Sequence, residues 1–216
     1  HYPKPDDISQ DQKDYIQSVI FEFESVLLSE NNEELLNLID LQSFIDFFII
    51  NELSKNPDGY RLSTFLNKDF NGKLKMGPIW DFNLAYANVD YCDGANPVGW
   101  IYNFNSICPG DIWQVPFWWE VLMQKEVFKT ALKNRWSSLR SSSLSNSTIL
   151  NTIDSYTENL KSNNITNQNF YVWPVLGQYI WPNFFVGTTH EEEIEFLKSW
   201  IDDRLDWMDT EINSLN

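Results

Sequence analysis

Asp58 and Asp81 flank a segment with a strong turn signal, Asn71-Gly72, at its centre. A strand returning across such a turn brings its two ends together, so both carboxylates can face one site. Carboxylate oxygens in this arrangement suit Mg²⁺, Mn²⁺ or Ca²⁺. Phosphoryl transfer uses a pair of this kind: one carboxylate holds the metal against the nucleotide phosphates, and the other orients the acceptor hydroxyl and takes its proton. Spacing alone favours a second reading, because Asp at a turn usually caps a helix or closes an Asx-turn.

The elements that must position these residues are mostly helical. Pro3 and Pro5 give an extended entry. Ile16, Val19, Ile20, Phe23, Val26 and Leu27 recur at helical spacing, which predicts an amphipathic helix over 10–28. Residues 33–54 carry too many apolar positions for one exposed stripe and predict a second, largely buried helix ended by Pro57-Asp58-Gly59. A hairpin follows, with strands over 60–68 and 73–81, the second carrying Asp81. Pro78 marks that strand as an edge or a terminus. Residues 83–116 read as a long structured loop and 117–140 as a helix. A turn at 141–147, a helix over 147–162 and an aromatic loop over 163–189 lead to a final helix. That helix is capped by Thr189, opens on the acidic run Glu191 to Glu193 and stacks Ile194, Leu197, Ile201, Leu205, Met208 and Ile212. The fold class is therefore mainly α, with one small β-hairpin, in a single domain over 1–216.

The chain has 216 residues, 43% hydrophobic and 16% aromatic, enough for one sizeable core. No stretch approaches the roughly 20 apolar residues that span a bilayer. The formal charge of −16 makes nucleic acid and anionic lipid poor partners. The two cysteines, Cys92 and Cys108, bracket a loop of turn residues. They are too few for a zinc site with His1 and His190 so remote, and read either as a disulfide closing the loop, which fits an exported protein, or as two buried thiols.

The string Gly77-Pro78-Ile79-Trp80-Asp81-Phe82-Asn83-Leu84-Ala85 resembles the signature of the CotH kinase family, the spore coat protein H-like atypical protein kinases. Asn51-Glu52-Leu53 followed by Asn56-Pro57-Asp58 is similar to that family's catalytic-loop region. Tyr2-Pro3-Lys4-Pro5, Asp58 to Thr64, Tyr91-Cys92-Asp93-Gly94, Val115 to Trp119, Trp181-Pro182-Asn183 and Trp207-Met208-Asp209 resemble a subgroup in exported proteins of Bacteroidetes-type bacteria. The resemblance implies the C-terminal lobe of a kinase-like fold that transfers phosphate from ATP to Ser of secreted proteins with a divalent metal. Asp81 would take the metal role, with Asn83 beside it, and Asp58 the catalytic-loop role. Where spore-coat members carry Asn a few residues after the catalytic aspartate, this chain reads Tyr60-Arg61-Leu62-Ser63-Thr64, so Ser63 would be a weaker ligand. Arg61 would contact phosphate or pair with Asp58. The family's nucleotide lobe, with its phosphate-binding Lys and Glu partner, precedes the Tyr-Pro-Lys-Pro segment, so this chain alone is not expected to turn over ATP.

Two other classes compete. Aromatic loops over 91–119 and 173–185 could form a protein- or carbohydrate-binding surface, which exposed rings far from paired aspartates would favour. A two-carboxylate glycosidase would need the aspartates in different environments, and nothing in the sequence supplies that.

Overall fold

The computed structural model describes Lys4 and residues 6–215. The extended entry at Pro3 and Pro5, and the Tyr2-Pro3 part of the family-like string, lie outside the described residues. Helix α1, Gln10–Leu28, starts in a capping box: the Ser9 side chain accepts from Gln12 N while Ser9 N donates to the Gln12 side chain. It buries Phe23, Val26 and Leu27, whereas Tyr15, Ile16 and Phe21 stay exposed.

The single helix expected over 33–54 is two, α2 (Asn32–Leu38) and α3 (Leu41–Ser54). The break has a tertiary cause. Ile39 forms a parallel bridge with Leu74, and Asp40 N donates to Leu74 O at 2.9 Å. The Asp40 carboxylate then accepts from Ser43 N and caps α3. As expected, α3 is largely buried, with Phe44, Phe47 and Phe48 set among Tyr60, Trp119 and Phe128. It packs on the helices Glu126–Arg140 and His190–Ser214 and on the strand Leu74–Met76.

Strands β1 (Leu66–Lys68) and β2 (Leu74–Met76) form an antiparallel hairpin with Asn67 opposite Lys75. The turn is centred one residue before the Asn-Gly pair: Gly72 N donates to Asp69 O at 2.9 Å, with Phe70 and Asn71 between them and Asn71 at a left-handed φ of 55°. Both strands are shorter than expected. Leu62 N and Ser63 N fold back on Asp58 O, so the first strand cannot start at Tyr60. Gly77, at φ 117°, turns the chain out of β2, and Pro78 offers no N–H to a ladder. The hairpin therefore leads to Asp81 without carrying it: Asp81 sits in the loop beyond β2.

The long loop after Asp81 contains a 3₁₀ turn, Ile101–Asn103, and the short α4, Phe104–Ile107. The helix expected over 117–140 splits into α5 (Trp118–Leu122) and α6 (Glu126–Arg140). At the break, Lys125 N–H donates to Leu122 O and its ammonium reaches Ser29 O at 2.7 Å. Helix α7 (Asn146–Ser162) matches expectation, with Ser145 as its cap. The segment read as an aromatic loop contains α8, Ile165–Val172. Helix α9, His190–Ser214, is capped by Thr189 as its sequence indicates.

Candidate functional site

The site begins where α3 ends. Lys55 takes a left-handed C-cap, φ 45°, and turns the chain into Asn56-Pro57-Asp58. Its fully buried ammonium donates to Asn96 O at 2.7 Å and Val98 O at 2.6 Å and lies 3.3 Å from Asp93 Oδ2. Burial pulls the Lys55 ammonium down, and Asp93 opposes that. One helical turn earlier, the buried Glu52 carboxylate accepts from Ile101 N, Tyr102 N and the Tyr60 hydroxyl. Arg204 of α9 meets the same carboxylate at 3.2 Å and spends its other N–H groups on the carbonyls of Glu52, Pro97 and Gly99. The end of α3 is thus clamped to the 93–102 loop and to α9.

Asp58 stands on this platform, partly exposed. Its Oδ1 takes Arg61 Nη2 at 2.7 Å. Of the two roles expected for Arg61, the structure shows the pairing with Asp58. The guanidinium is 3% exposed, lies 4.1 Å from the Phe104 ring, and also engages Pro57 O, Trp113 O and Asp111 Oδ1. Burial is the main influence raising the Asp58 carboxyl above its ordinary value. Arg61 opposes it, and the negative charges of Asp81 and Asp111 add to the rise.

Asp81 is exposed and holds a left-handed φ of 63°, a costly conformation for a side-chain-bearing residue. Two bonds pin its loop to the end of α3. Asn56 Nδ2 donates to Asp81 O at 3.4 Å, and Tyr86 N donates to Ser54 O at 2.7 Å. Tyr86, Ala87, Cys92 and Asp93 farther along also have positive φ. Asn83 is exposed, and its carbonyl accepts from Asn88. Ser63 is buried on the turn that Asp58 O closes. Asp58 and Asp81 therefore share one electrostatic environment, while Ser63 is joined to it through the backbone.

Among the described residues no group of three or more His, Cys, Asp or Glu forms a metal cage. The donor set available at Asp81 and Asn83 is hard and oxygen-based. It matches Mg²⁺, which keeps several waters and takes one or two carboxylates plus substrate phosphates.

Cys92 and Cys108 are disulfide-bonded, with Cα atoms 5.5 Å apart. The bond ties Tyr91 to the segment that supplies Asp111. Sequence reasoning assigned no role to Asp111, Tyr91, Lys55, Glu52 or Arg204. Glu52 had a local signal, a carboxylate inside an apolar helix. Arg204 had none, because its partner is 152 residues away. Tyr91 stacks on Trp181 at 6.2 Å and 13°. Burial raises its hydroxyl, with Asp58 the next contributor.

No curated protein and no solved structure matches the chain. A family model, CotH kinase protein, matches residues 1–208, and that span contains Asp58, Asp81, the disulfide and most of α9. The chain belongs to the CotH kinase protein family.

Proposed function

We propose that this chain is the metal and acceptor lobe of an atypical kinase that transfers phosphate from ATP to Ser of extracellular or surface proteins. The observation that supports the reading is the Asn56 link that ties the Asp81 backbone to the loop carrying Asp58, with the Asp58 carboxyl raised by burial and, in smaller part, by the Asp81 charge. A raised carboxyl is a better base near neutral pH. Arg61 occupies Oδ1 of Asp58 and leaves Oδ2 to orient an acceptor hydroxyl and take its proton. Asp81 would hold Mg²⁺ or Mn²⁺, with Asn83 and, more weakly, Ser63 as oxygen donors. The bound metal would neutralise charge on the transferring phosphate. A nucleotide lobe would supply the phosphate-binding Lys and its Glu partner. The disulfide fits an exported protein, and no described helix is long and apolar enough to cross a membrane.

The test is a titration of Mg²⁺–ATP against a protein that joins this chain to a nucleotide lobe. Asp81→Ala abolishes metal-dependent nucleotide binding with the fold retained, and Asp58→Asn keeps binding but loses transfer. Unchanged binding in Asp81→Ala refutes the role given to Asp81. The second reading, a binding surface, is favoured by the exposed rings of Trp173, Tyr179 and Trp181. Trp181 stacks on Tyr91, whose hydroxyl is raised by burial and then by the Asp58 charge, so these rings fit an acceptor-binding role within the kinase reading.

A further inference from the structure

Helix α8 packs on α7 and contributes no fully buried residue. Thr166, Asn167 and Asn169 are weak helix formers, so neither the core nor local propensity accounts for this sequence. A surface stretch that breaks local rules points to selection for another task. The stretch is also uncharged. No Asp, Glu, Lys or Arg lies between Lys161 and Glu191, although 21% of the whole chain is charged. An open recess of about 570 Å³ runs along one face of α8. Asn164, Asn167, Gln168 and Tyr171 share that face by helical spacing, with Val172 beside them. Asn164 Oδ1 accepts from Asn167 Nδ2 at 2.8 Å, which leaves Asn164 Nδ2 and Asn167 Oδ1 for a ligand. Tyr171 is 88% exposed, and Trp173, the C-cap, is 62% exposed. Tyr179 and Trp181 are tied to Asp90 and Tyr91, but no such tie holds Tyr171 or Trp173 among the described residues.

The chemistry of this face selects its occupant. A charged partner finds no counter-charge on it. A lipid surface leaves the amides unmatched, and the net charge of −16 repels anionic headgroups. A sugar meets both features. Its C–H faces pack on an aromatic ring, and its hydroxyls each donate and accept, as side-chain amides do.

We propose that the outer face of α8, with Trp173 at its end, is a binding site for a neutral polysaccharide. Tyr171 and Trp173 supply the stacking rings, and Asn164, Asn167 and Gln168 supply the hydrogen bonds. The site does not depend on the kinase reading, and it gives the chain a way to hold a glycan-coated surface. The probes are three soluble neutral polysaccharides, the β-glucan laminarin, a galactomannan and an arabinoxylan. Polygalacturonate is the anionic control. Each is cast into a native gel, and the retardation of the full chain is measured against polysaccharide concentration.

At least one neutral polysaccharide is expected to retard the chain, and polygalacturonate is not. Tyr171→Ala and Trp173→Ala, both at exposed side chains, are each expected to weaken retention about tenfold, the scale of one lost stacking contact. Gln168→Ala is expected to weaken it several-fold, and Tyr171→Phe to keep most of it, because the ring face remains. An unchanged unfolding midpoint in each variant shows that the fold is kept. Retention by none of the three neutral polysaccharides, or retention unchanged in Tyr171→Ala, overturns the site. Self-association that Tyr171→Ala abolishes, without glycan retention, makes the face a contact between copies of the chain and also overturns it. Asp81→Ala should leave glycan retention intact, so a failure of the kinase reading and a failure of this site show up separately.

Discussion

Arg204 Nη2 lies 3.2 Å from Glu52 Oε2, and both side chains are sealed from solvent. This pair joins the helix that delivers Asp58 to the last helix of the chain. Breaking a buried pair from one side leaves an uncompensated charge, so Arg204→Met is expected to cost about 3–5 kcal/mol. The double variant Glu52→Leu with Arg204→Met is expected to cost less than the sum of the single changes, because no lone charge remains. Urea unfolding of the four species closes the cycle, and additive costs would show that the two groups do not act as a pair.

The raised Asp58 carboxyl carries a pH dependence of known sign. Its folded state holds the proton more tightly than the unfolded chain does, so its stabilising contribution is complete in acid. That contribution is lost as pH rises from the ordinary carboxylate range through the folded value. Asp58→Asn mimics the protonated form and escapes this loss. Its stability relative to the parent should therefore increase with pH across that window, measured by unfolding at a series of pH values. A parent-to-variant difference that stays flat would contradict the raised carboxyl.

Asp111 raises Asp58 and shares Arg61 with it. Asp111→Asn removes a negative charge and leaves Arg61 more fully to Asp58, so the Asp58 carboxyl should titrate lower. Carbon-13 NMR of the side-chain carboxyl follows this directly, and an upward move would show that the groups do not interact as described.

Gly59 has no room for a side chain. A Cβ there would fall 1.9 Å from Asn51 Oδ1, itself buried without a hydrogen-bond partner among the described residues. Gly59→Ala is expected to destabilise the fold by about 1–3 kcal/mol, the cost of overpacking a tight interior. It should also disturb Asp58 next door, seen as altered Asp58 titration together with a lower unfolding midpoint.

The Cys92–Cys108 bond closes a loop with a sequence separation of 16. Chain-entropy arguments give about 3 kcal/mol for a loop of this size. Replacing both cysteines by Ser should lower stability by that order and loosen Asp111 on Arg61. Unfolding of the parent in reductant should reproduce the loss, and an unchanged midpoint would show that the cross-link adds no stability.

Features set by neighbouring residues were legible from the chain itself. The Ser9 capping box, the hairpin turn at Asn71, the buried character of α3 and the Thr189 cap all depend on contacts within a few residues. The Asp81 string was equally local, and it pointed to the family that the chain matches. Packing decided the rest. The break at Ile39–Asp40 exists because that backbone pairs with Leu74, and no propensity at those residues announces it. Asp81 left the strand because Gly77 and Pro78 turn the chain out of β2 toward the end of α3. Arg61 was drawn to Asp58 and buried by Asp111 and Phe104, from other parts of the fold. Glu52 found Arg204, and Tyr91 found Trp181, only when distant segments met. Hydrogen-bonded turns and helical periodicity are written over a few residues, whereas a buried charge needs a partner that the tertiary fold alone brings within reach.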